Sequence, residues 1–197
     1  MQTNTFRTLL KRFRDDTSGV ISLEFVIMMP ILFWTFMAVY VFFDGYRQSA
    51  LNLKAAYTIS DLISRETEAI NDSYVNSMMN VLRLMTRSGS EVDLRISVIR
   101  WDQDDDRYYV YWSANRGFAA ELTDDNVIDF AERLPVMPDD EMVILVETKN
   151  VFEPVFDVGM NDIDLDNFVF TRPRFASKVE WDAGETDTET NVQDDPA

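Results

Sequence analysis

The sequence predicts an α+β fold in which a long N-terminal transmembrane helix continues into an amphipathic helix and packs on a small antiparallel sheet with short helices. Three observations carry this expectation. From Val20 to Phe43 the chain runs for 24 residues with one charged side chain, Glu24, and about 20 apolar residues suffice to cross a bilayer core as a helix. From Ala50 to Ile63 the apolar residues recur at spacings of three and four, the signature of one helical face. From Val92 the period drops to two, which marks strands.

Four regions follow: 1–19 as a basic leader, 20–43 as the span, 44–181 as a soluble α+β domain and 182–197 as an acidic tail. The 197 residues carry 18 Lys and Arg against 35 Asp and Glu, for a net charge of −17. In the leader, Arg7, Lys11, Arg12 and Arg14 outweigh Asp15 and Asp16, so everything after it is more acidic than the whole. Such a domain has no basic patch to neutralise phosphates, which excludes nucleic acid as a partner. Basic residues before the span and only Arg47 and Lys54 close behind it place the N-terminus in the cytoplasm and the domain outside. The chain has neither Cys nor His. Absence of Cys suits an exported domain held without disulfides, and absence of His removes Ser-His and Cys-His catalysis and the usual zinc sites. No cofactor or metal is expected.

The leader differs from a secretory signal, because the apolar run is too long for a signal core and no small-residue cleavage site follows it. Glu24 is the unusual feature of the span. An acid in hydrocarbon costs on the order of 2.5–3.5 kcal/mol on insertion scales, so it marks a functional position by default. In a helix Val20 and Glu24 are i and i+4 and share a face about one turn apart. One reading of Glu24, so close to the start of the span, is that it snorkels to the nearby headgroups. Pro30 lies inside the span, where membrane helices tolerate it, and Trp34, Tyr40 and Tyr46 suit packing and interfacial anchoring.

Gly19-Val20-Ile21-Ser22-Leu23-Glu24-Phe25, preceded by basic residues and followed by an apolar run with Pro30, resembles the type IV prepilin cleavage signal. More closely, it is similar to the TadE-like pseudopilins of the tight-adherence (Tad/Flp) pilus system. The resemblance implies a pilin-like fold and a membrane aspartyl prepilin peptidase that cuts between Gly19 and Val20. It also implies that Glu24, followed by Phe25, is the assembly charge at position five of the mature chain, pairing with the new amine within or between subunits. By the same resemblance the partners are the peptidase, other pseudopilins and the major pilin, the inner-membrane assembly platform with its cytoplasmic ATPase, and membrane lipid, with the domain periplasmic. The implied role is non-enzymatic, a minor pilin-like subunit of Tad pilus assembly. The alternative is a single-pass membrane-anchored periplasmic adaptor or binding domain unrelated to pili. A two-carboxylate or Ca²⁺-dependent glycosidase is a third class, weakened because its acids fall in solvated turns.

Beyond the span, the stripe Ala50, Leu53, Ala56-Tyr57, Ile59-Ser60 and Leu62-Ile63 predicts a helix running on to about Arg65, with Gly45 a weak point. Asn71-Asp72-Ser73 offers caps for a helix from about Ser73 to Thr86, with Tyr74, Met78, Val81-Leu82 and Met85 inward, ended by Ser88-Gly89-Ser90. Val92, Leu94, Ile96 and Val98 alternate with polar residues, and Tyr109 and Tyr111 answer them across Asp102-Gln103-Asp104-Asp105-Asp106, a hairpin with an acidic tip. That tip is either a solvated turn or an oxygen-ligand site for Ca²⁺, although the calcium-loop spacing is missing. Thr123 is the expected N-cap of a short helix to Arg133 with Val127, Ile128, Phe130 and Leu134 inward, ended by Pro135 and Pro138. Met142–Val146 is a continuous apolar run, expected as a strand buried on both faces. Asn161–Asp166 suits a strand edge better than a calcium loop, and Leu165, Phe168 and Phe170 begin a last strand into Thr171-Arg172-Pro173-Arg174. That ending also resembles TadE-like domains. Arg172 and Arg174 meet either the surrounding acids or a neighbouring subunit. Beyond Trp181 the composition predicts disorder.

Overall fold

The computed structural model describes residues 8, 11–15, 20–86 and 91–183, with only the backbone at 20 and 21. The chain is α+β, with a long apolar N-terminal helix and a four-stranded antiparallel sheet. Two compact units share the first helix, α1 (Val20–Ser64). One unit groups its part up to Tyr46 with Pro154–Asn161, and the other holds Arg47–Glu153 and the residues from Asp162 on.

In the first unit α1 is apolar on all sides and exposed on nearly all of them. Leu23, Phe25, Leu32, Phe33, Phe36 and Phe43 are each more than 60% accessible, which in water would be unfavourable and in hydrocarbon is not. Pro30 sits within the unbroken helix, and Thr35 Oγ1 donates to the Ile31 carbonyl at 2.8 Å. Gly45 does not interrupt α1.

The second unit begins where α1 becomes two-faced. Asn52, Ala55, Ala56, Ile59, Ser60, Ile63 and Ser64 are buried, whereas Leu53, Tyr57 and Leu62 of the expected stripe are exposed. Ala56, Ile59, Ser60 and Ile63 of that stripe are buried as expected, and the face is completed by Asn52, Ala55 and Ser64 in place of Leu53, Tyr57 and Leu62. α2 (Asp72–Thr86) follows, capped by Asn71, whose Oδ1 accepts the Tyr74 N–H at 3.0 Å. Its Val75, Met78, Met79 and Leu82 are buried. The residues expected to end it, Ser88-Gly89-Ser90, lie outside the described ones.

The strands β1 (Val92–Asp102), β2 (Arg107–Arg116), β3 (Met142–Phe152) and β4 (Ile163–Thr171) form one sheet in the order β2-β1-β3-β4, every neighbour antiparallel. On one face Leu94, Ile96 and Val98 of β1 with Ile144 and Val146 of β3 join Ala55, Ile59 and Ile63 of α1 and the buried side of α2 in a single core. On the other, Ile99, Tyr108, Val143 and Leu145 lie under Leu122, Val127, Leu134 and Met137. Cover on both faces explains why Val143 to Val146 are all fully buried, as their uninterrupted apolar run predicts.

Two local expectations are corrected. The β1–β2 register shifts between Val98 and Ile99, which pair with Trp112 and Val110. Tyr111 is left as the extra residue of this bulge, so Tyr108 and Trp112 are buried while Tyr111 is exposed. The segment after Thr123 is a 3-10 helix, Val127–Arg133, rather than an α-helix capped by Thr123. Asn126 Oδ1 accepts the Thr123 N–H at 2.7 Å and the Thr123 carbonyl accepts the Asn126 and Val127 N–H groups at 3.2 and 3.0 Å, so Thr123 opens a tight turn ahead of the 3-10 helix, and Ile128 points outward. Residues 184–197, most of the expected disordered tail, lie outside the described ones.

Candidate processing site and membrane span

Gly19, the first residue of the expected scissile pair, lies outside the described residues. Val20 opens the described helix, and Glu24 follows one turn later on α1 with its side chain exposed. Phe25 beside it is 62% accessible. Glu24 makes none of the ion pairs found among the described residues, and its surroundings on α1 are Leu23, Phe25, Val26, Ile27 and Met28, all exposed and apolar. α1 holds one stretch near the N-terminus that is long and apolar enough to cross a membrane, as a single-pass membrane protein requires. Trp34, Tyr40 and Tyr46 are half or more exposed along it.

The acidic clusters of the second unit have internal uses. At the hairpin tip Asp102 Oδ1 accepts the N–H groups of Asp104 and Asp105 at 3.2 and 3.3 Å. Arg100 donates to Asp140 at 3.0 Å and Asp102 at 3.1 Å, and Asp139 accepts the Gln103 N–H at 3.0 Å. Tyr109 donates to Asp105 at 2.6 Å, and that bond raises its phenol pKa. Among the described residues no three acids converge as a metal would need. Asp162, Asp164 and Asp166 flank or lie in β4, the edge strand. Arg172 pairs with Glu141 at 3.0 Å and Arg174 with Asp61 at 3.4 Å, so both arginines meet acids of their own chain. The Arg174 N–H also satisfies the Ser64 carbonyl at the end of α1, at 2.8 Å.

No protein-family model matches this chain, and no curated protein or solved structure matches it either. What it does must therefore be argued from its own residues.

Several of these were missed in the sequence. Arg95 and Glu147 are direct cross-strand partners on β1 and β3 and form a buried two-point ion pair, Nε to Oε2 at 2.6 Å and Nη2 to Oε1 at 2.9 Å. Arg95 Nη1 also donates to the Ala120 carbonyl at 3.0 Å, and its guanidinium lies over the Phe118 and Phe130 rings. Alternation placed Arg95 on the polar-looking face of β1, but nothing in the sequence said that 118–134 would cover that face. On the opposite face Asn52 Nδ2 donates to the Leu165 carbonyl at 3.0 Å. Thr148 bonds Asn52 and Asn167 at 3.4 and 3.2 Å, tying α1 to β3 and β4. Trp112 Nε1 donates to the Val179 carbonyl at 2.8 Å, and its ring tilts against Trp181 at 5.2 Å. Trp181 is in turn bridged to Ile70. Tyr74 donates to Glu66 at 2.9 Å, and burial, with that carboxylate adding to it, pushes its phenol well above the ordinary range.

Proposed function

We propose that this chain is a pseudopilin: a non-enzymatic, single-pass subunit that a prepilin peptidase cuts between Gly19 and Val20 and that takes part in assembling a Tad-type pilus. The observation that carries the reading is Glu24, an exposed carboxylate one turn beyond Val20, where α1 is otherwise apolar and largely exposed as far as Phe43. An acid there lacks a partner until an α-amino group exists beside it, and cutting before Val20 makes that amine. An ammonium and a carboxylate together in a low-dielectric setting are far better placed than either alone. The working parts are then Gly19 and Val20 as the scissile pair, Glu24 with Phe25 as the assembly position, and α1 as the packing surface. On this reading the N-terminus is cytoplasmic and the sheet domain periplasmic. The partners are the peptidase, other pseudopilins, the major pilin and the inner-membrane platform, whose ATPase supplies the work of drawing the helix from lipid.

The test is intact mass and N-terminal sequencing of protein extracted from membranes that contain the peptidase. The expected mature chain begins at Val20, and a Gly19→Val substitution leaves the leader attached. A leader retained in both proteins would refute the proposal and leave a tethered adaptor domain in its place.

A further inference from the structure

The connection between β3 and β4 belongs to the same compact unit as the apolar part of α1. Its Phe156 ring meets Tyr40 edge to face, with centroids 6.1 Å apart. Tyr40 lies three residues before Phe43, where the apolar run ends and Asp44 follows, so it sits about 4.5 Å inside that end along the helix axis. A loop touching Tyr40 is therefore held at the edge of the hydrocarbon. Two of its outward side chains are large and apolar, Val155 at 67% and Phe156 at 38% accessible. A turn orders it, with Gly159 at φ +87° donating its N–H to Asp157 Oδ1 at 3.2 Å.

We propose that Pro154–Met160 is a membrane-seated loop that inserts Val155 and Phe156 into the headgroup and acyl boundary of the bilayer crossed by α1. The depth agrees with the chemistry. Irregular backbone is not tolerated facing lipid in the hydrocarbon core, but at the interface it can keep water as a hydrogen-bond partner while its apolar side chains reach about 5–10 Å inward. Asp157, exposed at the tip, remains among the headgroups, and with Glu153 and Asp162 nearby in sequence the loop favours zwitterionic over anionic lipid. The effect is to fix the roll of the span about its own axis, because one side of its last turns carries the loop. The inference rests on α1 crossing the bilayer, and it is independent of leader cleavage.

The chain has no Cys, so single labels report cleanly. Val155→Cys, Leu32→Cys and Asp104→Cys, each carrying an environment-sensitive fluorophore on the full chain in phosphatidylcholine vesicles, are compared for quenching by brominated lipid and by aqueous iodide. The label at 155 is expected to be quenched by brominated lipid at least about twofold more than the one at 104, and less than the one at 32. Quenching at 32 with none at 155 overturns the loop's placement alone. Quenching at neither overturns the span and the loop together. A label at 155 shielded from both quenchers puts protein, not lipid, against the loop and also overturns the proposal.

Discussion

Removing one partner of the Arg95–Glu147 pair tests the architecture of the second unit most sharply. Both side chains are about nine-tenths buried, with 10% and 8% accessible. A Glu147→Ala substitution leaves the guanidinium in place with the Ala120 carbonyl as its remaining acceptor and the Phe118 and Phe130 rings above it. An uncompensated buried charge costs about 3–5 kcal/mol, a large part of the 5–15 kcal/mol that typically holds a domain together. With a urea dependence of roughly 2 kcal/mol per molar, the unfolding midpoint falls by about 2 M. The assay is urea unfolding of the detergent-solubilised chain, followed by tryptophan fluorescence in a Trp34→Phe, Trp101→Phe background that leaves Trp112 and Trp181 on the opposite face of the sheet as reporters. Replacing both partners, Arg95→Met with Glu147→Leu, should recover most of the loss, since an apolar pair of similar volume is neutral or better in a buried site. A loss below about 1 kcal/mol for the single variant, the range of a surface pair, would refute the reasoning. So would a double variant as unstable as the single.

Three further outcomes follow from particular contacts. Burial, with Glu91 adding to it, raises the Asp93 pKa above its ordinary 3.8; the folded state thus holds that proton more tightly, and stability falls as pH rises from 3.8 through the raised value. Asp93→Asn should therefore be more stable than the parent at neutral pH, with the gap closing on acidification below 3.8, as thermal unfolding at several pH values would show. Gly117 has φ +100°, and a Cβ there would overlap the Asp93 carboxylate; Gly117→Ala should cost about 1–3 kcal/mol in urea unfolding. Asn52→Leu strands the Leu165 carbonyl and takes the acceptor from the Thr148 O–H, which keeps only the bond it accepts from Asn167; this should cost about 1–3 kcal/mol and speed amide exchange in β4, read by hydrogen exchange.

Much of this fold was legible because local pattern and tertiary context agreed. α1 beyond the span, the capped α2, the period-two run of β1 and the doubly covered β3 each follow from spacing alone. Reading failed where a side chain chose a partner distant in sequence. The bulge at Tyr111 turns the aromatic face of β2 over by one residue, and no local composition marks it. Thr123 has the right identity for an N-cap, but it opens a turn over 124–126, and the helix that follows is 3-10 and starts at Val127. Small buried residues such as Ala55 and Asn52 give no hydrophobic signal, yet they let α1 approach the sheet. Glu24 is the opposite case, since its identity, its spacing from Val20 and its apolar surroundings are all local facts.

The energetics of that carboxylate suggest why a processed leader suits this chain. Glu24 lies about 6 Å along the helix axis from Val20, close enough to the start of the apolar run that its insertion penalty falls below the 2.5–3.5 kcal/mol of a bilayer centre. Two unit charges 6 Å apart at an effective dielectric of 20 attract by about 3 kcal/mol, so an amine at Val20 would offset the cost of keeping Glu24 ionised in the membrane. Before cleavage no such amine exists, and the nearest cation of the leader, Arg14, is ten residues upstream of Glu24. On the proposed reading, a cut after Gly19 puts a positive charge one helical turn from Glu24. If Glu24 has the proposed role, neutralising it makes the helix easier to insert and blocks assembly, whereas a carboxylate that only reaches for the headgroups can be neutralised with no effect on assembly.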